Sequence, residues 1–233
     1  MKYELKITLA PYKLIYSILF MVLIILVRPI SSHNEIISVM ESSVALLAGV
    51  FMADNYYKEY LNEGISAFYL FPYRKKCSSL LKRTFISLLY LIVLIAIFYW
   101  GFVFMYHPTN YSGIPEFHLY IRCIAACVAS MLFMGMLCFT LTNLFRNIGI
   151  GIGGLFLVWL FLTSSITKIL PQILQLFKLR GEVIQEGYLV PYWQSRILYV
   201  FIAFGLMVVN MNLVKKQPDY NKKGWNRYGN KSQ

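Results

Sequence analysis

The chain has 233 residues, of which 58% are hydrophobic and 14% charged, and its mean hydropathy is +0.59. A water-soluble domain carries about 45–50% apolar and about 25% charged residues, so this much apolar side chain cannot hide under so little polar surface, and lipid must solvate most of it. Four cysteines without a C-x-x-C pair exclude a disulfide framework or a zinc site, and His33, His107 and His118 are too scattered for a histidine-rich di-metal membrane enzyme.

A span needs roughly 20 mostly apolar residues to cross about 30 Å of hydrocarbon. Residues 2–13 interleave Tyr3, Leu5, Ile7 and Leu9 with lysines. They read as an amphipathic helix in the headgroup plane, the bland alternative being a short basic tail. Residues 14–30 form the first predicted span. Its basic start suits a secretion signal, but Arg28-Pro29-Ile30-Ser31 is a poor cleavage site, so the segment is expected to stay. Residues 36–55 are the second span, with Glu41 inside. A polar stretch, 54–83, follows; Gly64 and Pro72 offer helix stops, and Ser78 or Ser79 a cap for the next helix. The third span, 84–106, is the most apolar, and the fourth, 119–145, carries Arg122 near its start. The fifth is 148–170 and the sixth 197–214. Between these two, residues 171–196 are too long for a turn and too mixed to span. Ile169, Leu170, Ile173, Leu174 and Phe177 recur at helical spacing and predict a short outer-face or re-entrant helix.

The net charge of +12 is compatible with nucleic acid, anionic lipid or membrane topology. With the N-terminus in the cytosol, 16 Lys and Arg fall in inside segments and 6 elsewhere. That bias puts both termini in the cytosol and makes the span number even. Headgroup attraction adds about 1 kcal/mol per basic residue, and no nucleic-acid partner is needed. The predicted fold is an all-α membrane protein, a single transmembrane domain over residues 1–233 with six spans.

Chemistry is mostly missing from the sequence. There is no G-x-x-x-x-G-K-[ST] phosphate loop, no H-E-x-x-H, no G-x-S-x-G and no paired carboxylates within a span. The chain is therefore not expected to be an enzyme or to hold a cofactor or metal. Gly149, Gly151 and Gly153 open an apolar run without a lysine or a preceding strand, and are expected to let another helix approach closely. Cys123 and Cys127 share a helix face without further ligands nearby, so core packing is the expectation. Glu41 and Arg122 lie about 8 Å and about 5 Å inside their spans at about 1.5 Å per residue. Opposite charges at similar depth lower the cost of each, which makes them a candidate ion pair; the alternative is that each snorkels outward alone.

The 54–83 stretch carries the most information. Glu63-Gly64-Ile65, then Pro72-Tyr73-Arg74, then Lys82 before the third span resemble the first cytosolic loop of permease subunits of ABC exporters of the second structural class (ABC-2-type membrane proteins). That family shows a pattern like Glu-x-Gly-(Thr)-(Leu), then Pro-(Val)-(Ser)-Arg, then a Lys; this chain has Glu63 directly before Gly64, Ile65 where the Thr stands, and Tyr73 alone between Pro72 and Arg74. Six spans, a short basic link at Arg146 and a long insertion before the last span also fit, so the layout is similar over nearly the whole chain.

The resemblance implies that Tyr57, Lys58, Glu59, Tyr60, Leu61, Asn62, Glu63 and Gly64 form a coupling helix against a separate ATPase. It also implies two ATPase subunits that bind ATP and Mg, a second permease copy or similar subunit, short re-entrant helices before the last span, and a plasma-membrane location. On the residues alone, without the resemblance, an interfacial aromatic belt at Tyr56, Tyr57 and Tyr60 with solvated charges is the preferred reading. Few charges at mid-membrane and 17% aromatics suggest an amphipathic or lipid-like cargo, such as a membrane-active peptide. The rival expectation is a non-transporting membrane scaffold or immunity protein.

Overall fold

The computed structural model describes residues 4–5, 8–55, 72–110, 115–177 and 189–215. Among these there are six α-helices: α1 Pro11–Val27, α2 His33–Ala53, α3 Tyr73–Tyr106, α4 Glu116–Phe145, α5 Ile148–Thr163 and α6 Leu189–Lys215. Four of them, α2, α3, α4 and α6, are long and apolar enough to cross a membrane, while α1 and α5 are shorter apolar helices. Large apolar side chains such as Val27, Phe85, Phe104, Leu157 and Phe201 point outward. Such a coat suits contact with hydrocarbon, and together with the four long helices it points to a membrane protein.

Local sequence sets most helix ends. Pro11 opens α1, where a missing N–H costs nothing. Pro29 closes it by forcing Arg28 into an extended conformation (φ −117°, ψ 96°). Ser32 caps α2 by accepting from the Glu35 N–H at 3.4 Å, and the Glu35 carboxylate accepts from the Ser31 N–H and hydroxyl at 2.8 and 2.9 Å, a variant of the capping box. The Thr109 N–H donates to the Ser31 carbonyl at 3.0 Å, tying this corner to the chain after α3.

Several boundaries differ from the sequence expectation. α3 starts at Tyr73, well before residue 84, and runs 34 residues, about 50 Å at 1.5 Å per residue. Ser78 and Ser79 therefore lie inside it instead of capping it. The basic residues Arg74, Lys75, Lys76 and Lys82 are good helix formers, and hydropathy alone could not reveal a helix that outruns the bilayer. α5 ends early at Thr163; Ser164 takes an extended conformation and caps the turn after it through the Ile166 N–H. The helix expected around 169–177 is replaced by two short 3-10 turns, Ser165–Ile169 and Gln172–Leu174, because Pro171 interrupts the periodic run. α6 begins at Leu189, eight residues earlier than predicted.

α2 and α4 form the centre and share the largest contact; α6 and α5 pack on α4, and α3 lies against α2. α2 buries 15 of its 21 residues, as a helix does when it is surrounded on every side. One core joins α1 to α4 through Met21, Met40, Phe51, Leu91, Tyr99 and Cys127. A second joins α2, α4, α5 and α6 through Met52, Phe133, Leu155, Leu162 and Tyr199. All four cysteines are free and buried, so Cys123 and Cys127 are packing residues, and no metal-binding cluster occurs among the described residues.

Candidate functional site

Polar side chains concentrate in two places on this apolar bundle. The first is the junction where the chain leaves α2 and returns as α3. Lys13, the third residue of α1, is 2% exposed. Its Nζ donates to Asp54 Oδ1 at 2.5 Å and to the Phe51 carbonyl at 3.0 Å, and it lies 5.3 Å from the centroid of the Phe51 ring. The Tyr12 hydroxyl donates to Asp54 Oδ2 at 3.3 Å. On the other side, Arg83 of α3 donates through Nε to Glu4 at 2.5 Å and through Nη1 to the Asn55 carbonyl at 2.8 Å. Ser79 donates to the other Glu4 oxygen at 2.5 Å. The N-terminal segment thus ties the end of α2 at Asp54 to α1, and through Glu4 it holds α3 at Ser79 and Arg83, about two to three turns after α3 begins.

Burying a charged pair helps only if the geometry is good and extra hydrogen bonds complete it, and both pairs here have such bonds. Lys13→Met is expected to cost about 2 kcal/mol, the range for a hydrogen bond to a charged group. Asp54→Asn should cost at least as much, because the single amide oxygen can replace only one of the two carboxylate oxygens that accept from Lys13 and Tyr12 and the buried Lys13 loses this countercharge. Thermal unfolding of the purified protein, with proteolysis between α2 and α3 as a second readout, checks this ordering.

The second place lies inside the bundle. Glu41 of α2 is 1% exposed and accepts at 2.8 Å from Nη2 of Arg196 on α6, itself 2% exposed. Arg196 Nη1 also donates to the Tyr192 carbonyl at 3.1 Å, and its guanidinium sits 3.3 Å from the centroid of the Tyr192 ring. The partner expected for Glu41, Arg122, is not the one it has. Arg122 precedes the fully buried Cys123 on α4, and a step of about 100° per residue rotates it off the face that meets α2. Hydropathy alone puts Arg196 just outside the last span, which it starts at residue 197, whereas α6 begins at Leu189 and carries Arg196 into the bundle. Its signal was present: Tyr192, Ser195, Arg196, Tyr199 and Ala203 form one buried stripe at the spacing of a helix face. A smaller network, Asn143 to Asn210 at 2.9 Å and Asn210 to Thr140 at 2.8 Å, joins α4 and α6.

The glycines divide. Arg146 turns the chain between α4 and α5 in the left-handed conformation (φ 52°, ψ 34°), and Asn147 caps α5 by accepting from the Gly149 N–H at 2.8 Å. Gly151 then abuts Thr142 of α4, and Gly154 abuts Leu141. Gly149 meets only its own cap, and Gly153 meets nothing within 4 Å. The close approach expected of Gly149, Gly151 and Gly153 is therefore carried within the chain by Gly151, with Gly154. These two lie three apart and so share a face, whereas Gly149 and Gly153 form a different one.

The coupling residues Tyr57, Lys58, Glu59, Tyr60, Leu61, Asn62, Glu63 and Gly64 lie outside the described residues, as does most of the insertion beyond Phe177. No protein-family model matches the chain, and neither does any curated protein or solved structure.

Proposed function

We propose that the chain is the membrane permease subunit of an ABC exporter of the second structural class. In this reading it has six spans with both termini in the cytosol. It works in the plasma membrane with two separate ATPase subunits that bind ATP and Mg, and it pairs with a second copy or a similar subunit. The cargo is amphipathic or lipid-like. One observation carries the reading: the segment bearing the Glu63-Gly64-Ile65 and Pro72-Tyr73-Arg74 pattern lies between two charge pairs, Lys13 with Asp54 at the end of α2 and Arg83 with Glu4 ten residues into α3. A permease without an ATPase motif must receive work from another chain through a stiff contact, and helices braced by ion pairs on either side of the segment would pass displacement on to the bundle. The open Gly149 and Gly153 face leaves room for a second copy's helix.

In this reading Glu59 and Glu63, four apart in sequence, would share one face of the coupling helix and meet basic groups of the ATPase, with Tyr57, Tyr60 and Leu61 as apolar anchors. Reversing both glutamates to lysine is expected to lower co-purified ATPase about tenfold, the effect of losing about 1.4 kcal/mol of contact, and to stop cargo efflux. Membrane insertion should be unchanged, since it depends on hydropathy and basic flanks. Wild-type association and efflux in the double variant would move the contact elsewhere. If no ATPase co-purifies with the wild type, the scaffold or immunity reading takes over.

A further inference from the structure

A cleft of about 450 Å³ opens between α1, α2 and α5, within the size range of small-molecule sites. Its walls are mostly apolar, with Phe20 and Val27 from α1 and Trp159 from α5; the polar lining is Ser38, Ser42 and Ser43 along α2, Thr163 at the end of α5 and Arg28 at the end of α1. The Trp159 indole N–H donates to the Ser42 carbonyl at 2.9 Å and pins α5 to α2 beside the opening. Val27, Leu23 and Arg28 are exposed, so the cleft communicates with whatever surrounds α1.

We propose that this cleft holds one acyl chain of an anionic membrane phospholipid, with the lipid phosphate on Arg28. α1 and α5 have 17 and 16 residues, about 25 Å each at 1.5 Å per residue, so both end near the headgroup level where the cleft lies. In a bilayer an apolar wall gives no preference over other lipid tails. A tail fills the cleft because no water reaches it, and the polar atoms decide which lipid supplies that tail. Arg28 makes no ion pair among the described residues, although its charge lies close enough to Glu35 to act on that carboxylate. Glu35, the carboxylate of the same corner, is engaged by the Ser31 N–H and hydroxyl. A guanidinium matches a phosphate bidentately, most strongly in an anionic lipid, whose phosphate has no choline cation of its own to neutralise it, and the Ser38 and Ser43 hydroxyls offer donors to the ester carbonyls beneath it. The inference rests on residence in a bilayer and not on export.

Trp159 is the probe. A variant retaining it alone (Trp100→Phe, Trp193→Phe, Trp225→Phe) is reconstituted into phosphatidylcholine vesicles. These contain a small fraction of either brominated-chain phosphatidylglycerol or brominated-chain phosphatidylcholine. Quenching by the phosphatidylglycerol should reach half-effect at a fraction about fivefold lower, the preference that one basic headgroup contact provides. Arg28→Gln should erase that preference, and Ser43→Phe, by filling the cleft, should reduce quenching by both lipids. Equal quenching by the two lipids in the Arg28 protein overturns the proposal, and so does a preference that survives Arg28→Gln. If the triple variant does not fold, the same comparison is read as the difference between wild type and Trp159→Phe. Neither outcome bears on whether an ATPase co-purifies, so this test and that of the permease reading fail separately.

Discussion

Arg196→Met is expected to destabilise the protein by about 3–5 kcal/mol, the cost of leaving one member of a buried ion pair without its partner. In a domain of this size that corresponds to a fall in unfolding midpoint of roughly 10 °C. Glu41 has no other hydrogen-bond partner among the described residues, and its second carboxylate oxygen is already buried without one. Glu41→Gln should be milder, at about 1–2 kcal/mol, because Arg196 keeps the Tyr192 carbonyl and ring. The double variant Glu41→Met with Arg196→Met should recover most of the loss, as apolar replacement of a buried pair often does. Arg122→Gln serves as the control and should change the midpoint little, since no bond from Arg122 to Glu41 exists to be lost. Unfolding midpoints of the four purified variants decide the matter; an Arg122→Gln effect equal to that of Arg196→Met would overturn the assignment.

The second large effect is expected at Gly151. A Cβ built there would overlap the Thr142 side chain and come within 3.2 Å of the Thr142 Cα. Backbone cannot rotate away as the tip of a side chain can, so α4 and α5 must separate. Gly151→Leu is expected to cost at least about 3 kcal/mol, the upper end for overpacking. Gly153→Leu meets open space and should be neutral or slightly stabilising, because leucine is the better helix former. Yield and helicity of the monomer separate the two. If Gly153→Leu instead loses oligomer size at full monomer stability, that face receives the second copy.

The contrast between these glycines shows what was legible in the sequence. Hydropathy and a 3.6-residue period found a helix in each predicted span, since burial against lipid depends on composition over some 20 residues. Ends set by single residues were also readable in principle, as Pro29 and Ser32 show. What could not be read was rotation about each helix axis relative to a neighbour. That angle decides between Gly151 and Gly153 for close approach and between Arg196 and Arg122 for Glu41. The N-terminal contacts were hidden for a related reason: Lys13, Asp54 and Arg83 count as cytosolic flank charges in any orientation tally, and only tertiary contact distinguishes a solvated flank from a buried tie.

Glu41 and Arg196 are 155 positions apart, which has a consequence for biogenesis. At about 5–20 residues per second, Glu41 is synthesised roughly 8–30 s before the arginine that neutralises it. During that interval three further helices emerge while a carboxylate waits without its countercharge. The last helix is therefore the keystone of assembly: until it arrives the bundle contains an uncompensated charge, and afterwards that charge holds it shut. Nascent chains stopped before residue 196 should accordingly be retained by the insertion machinery or degraded, even though most of the apolar helices have already been made.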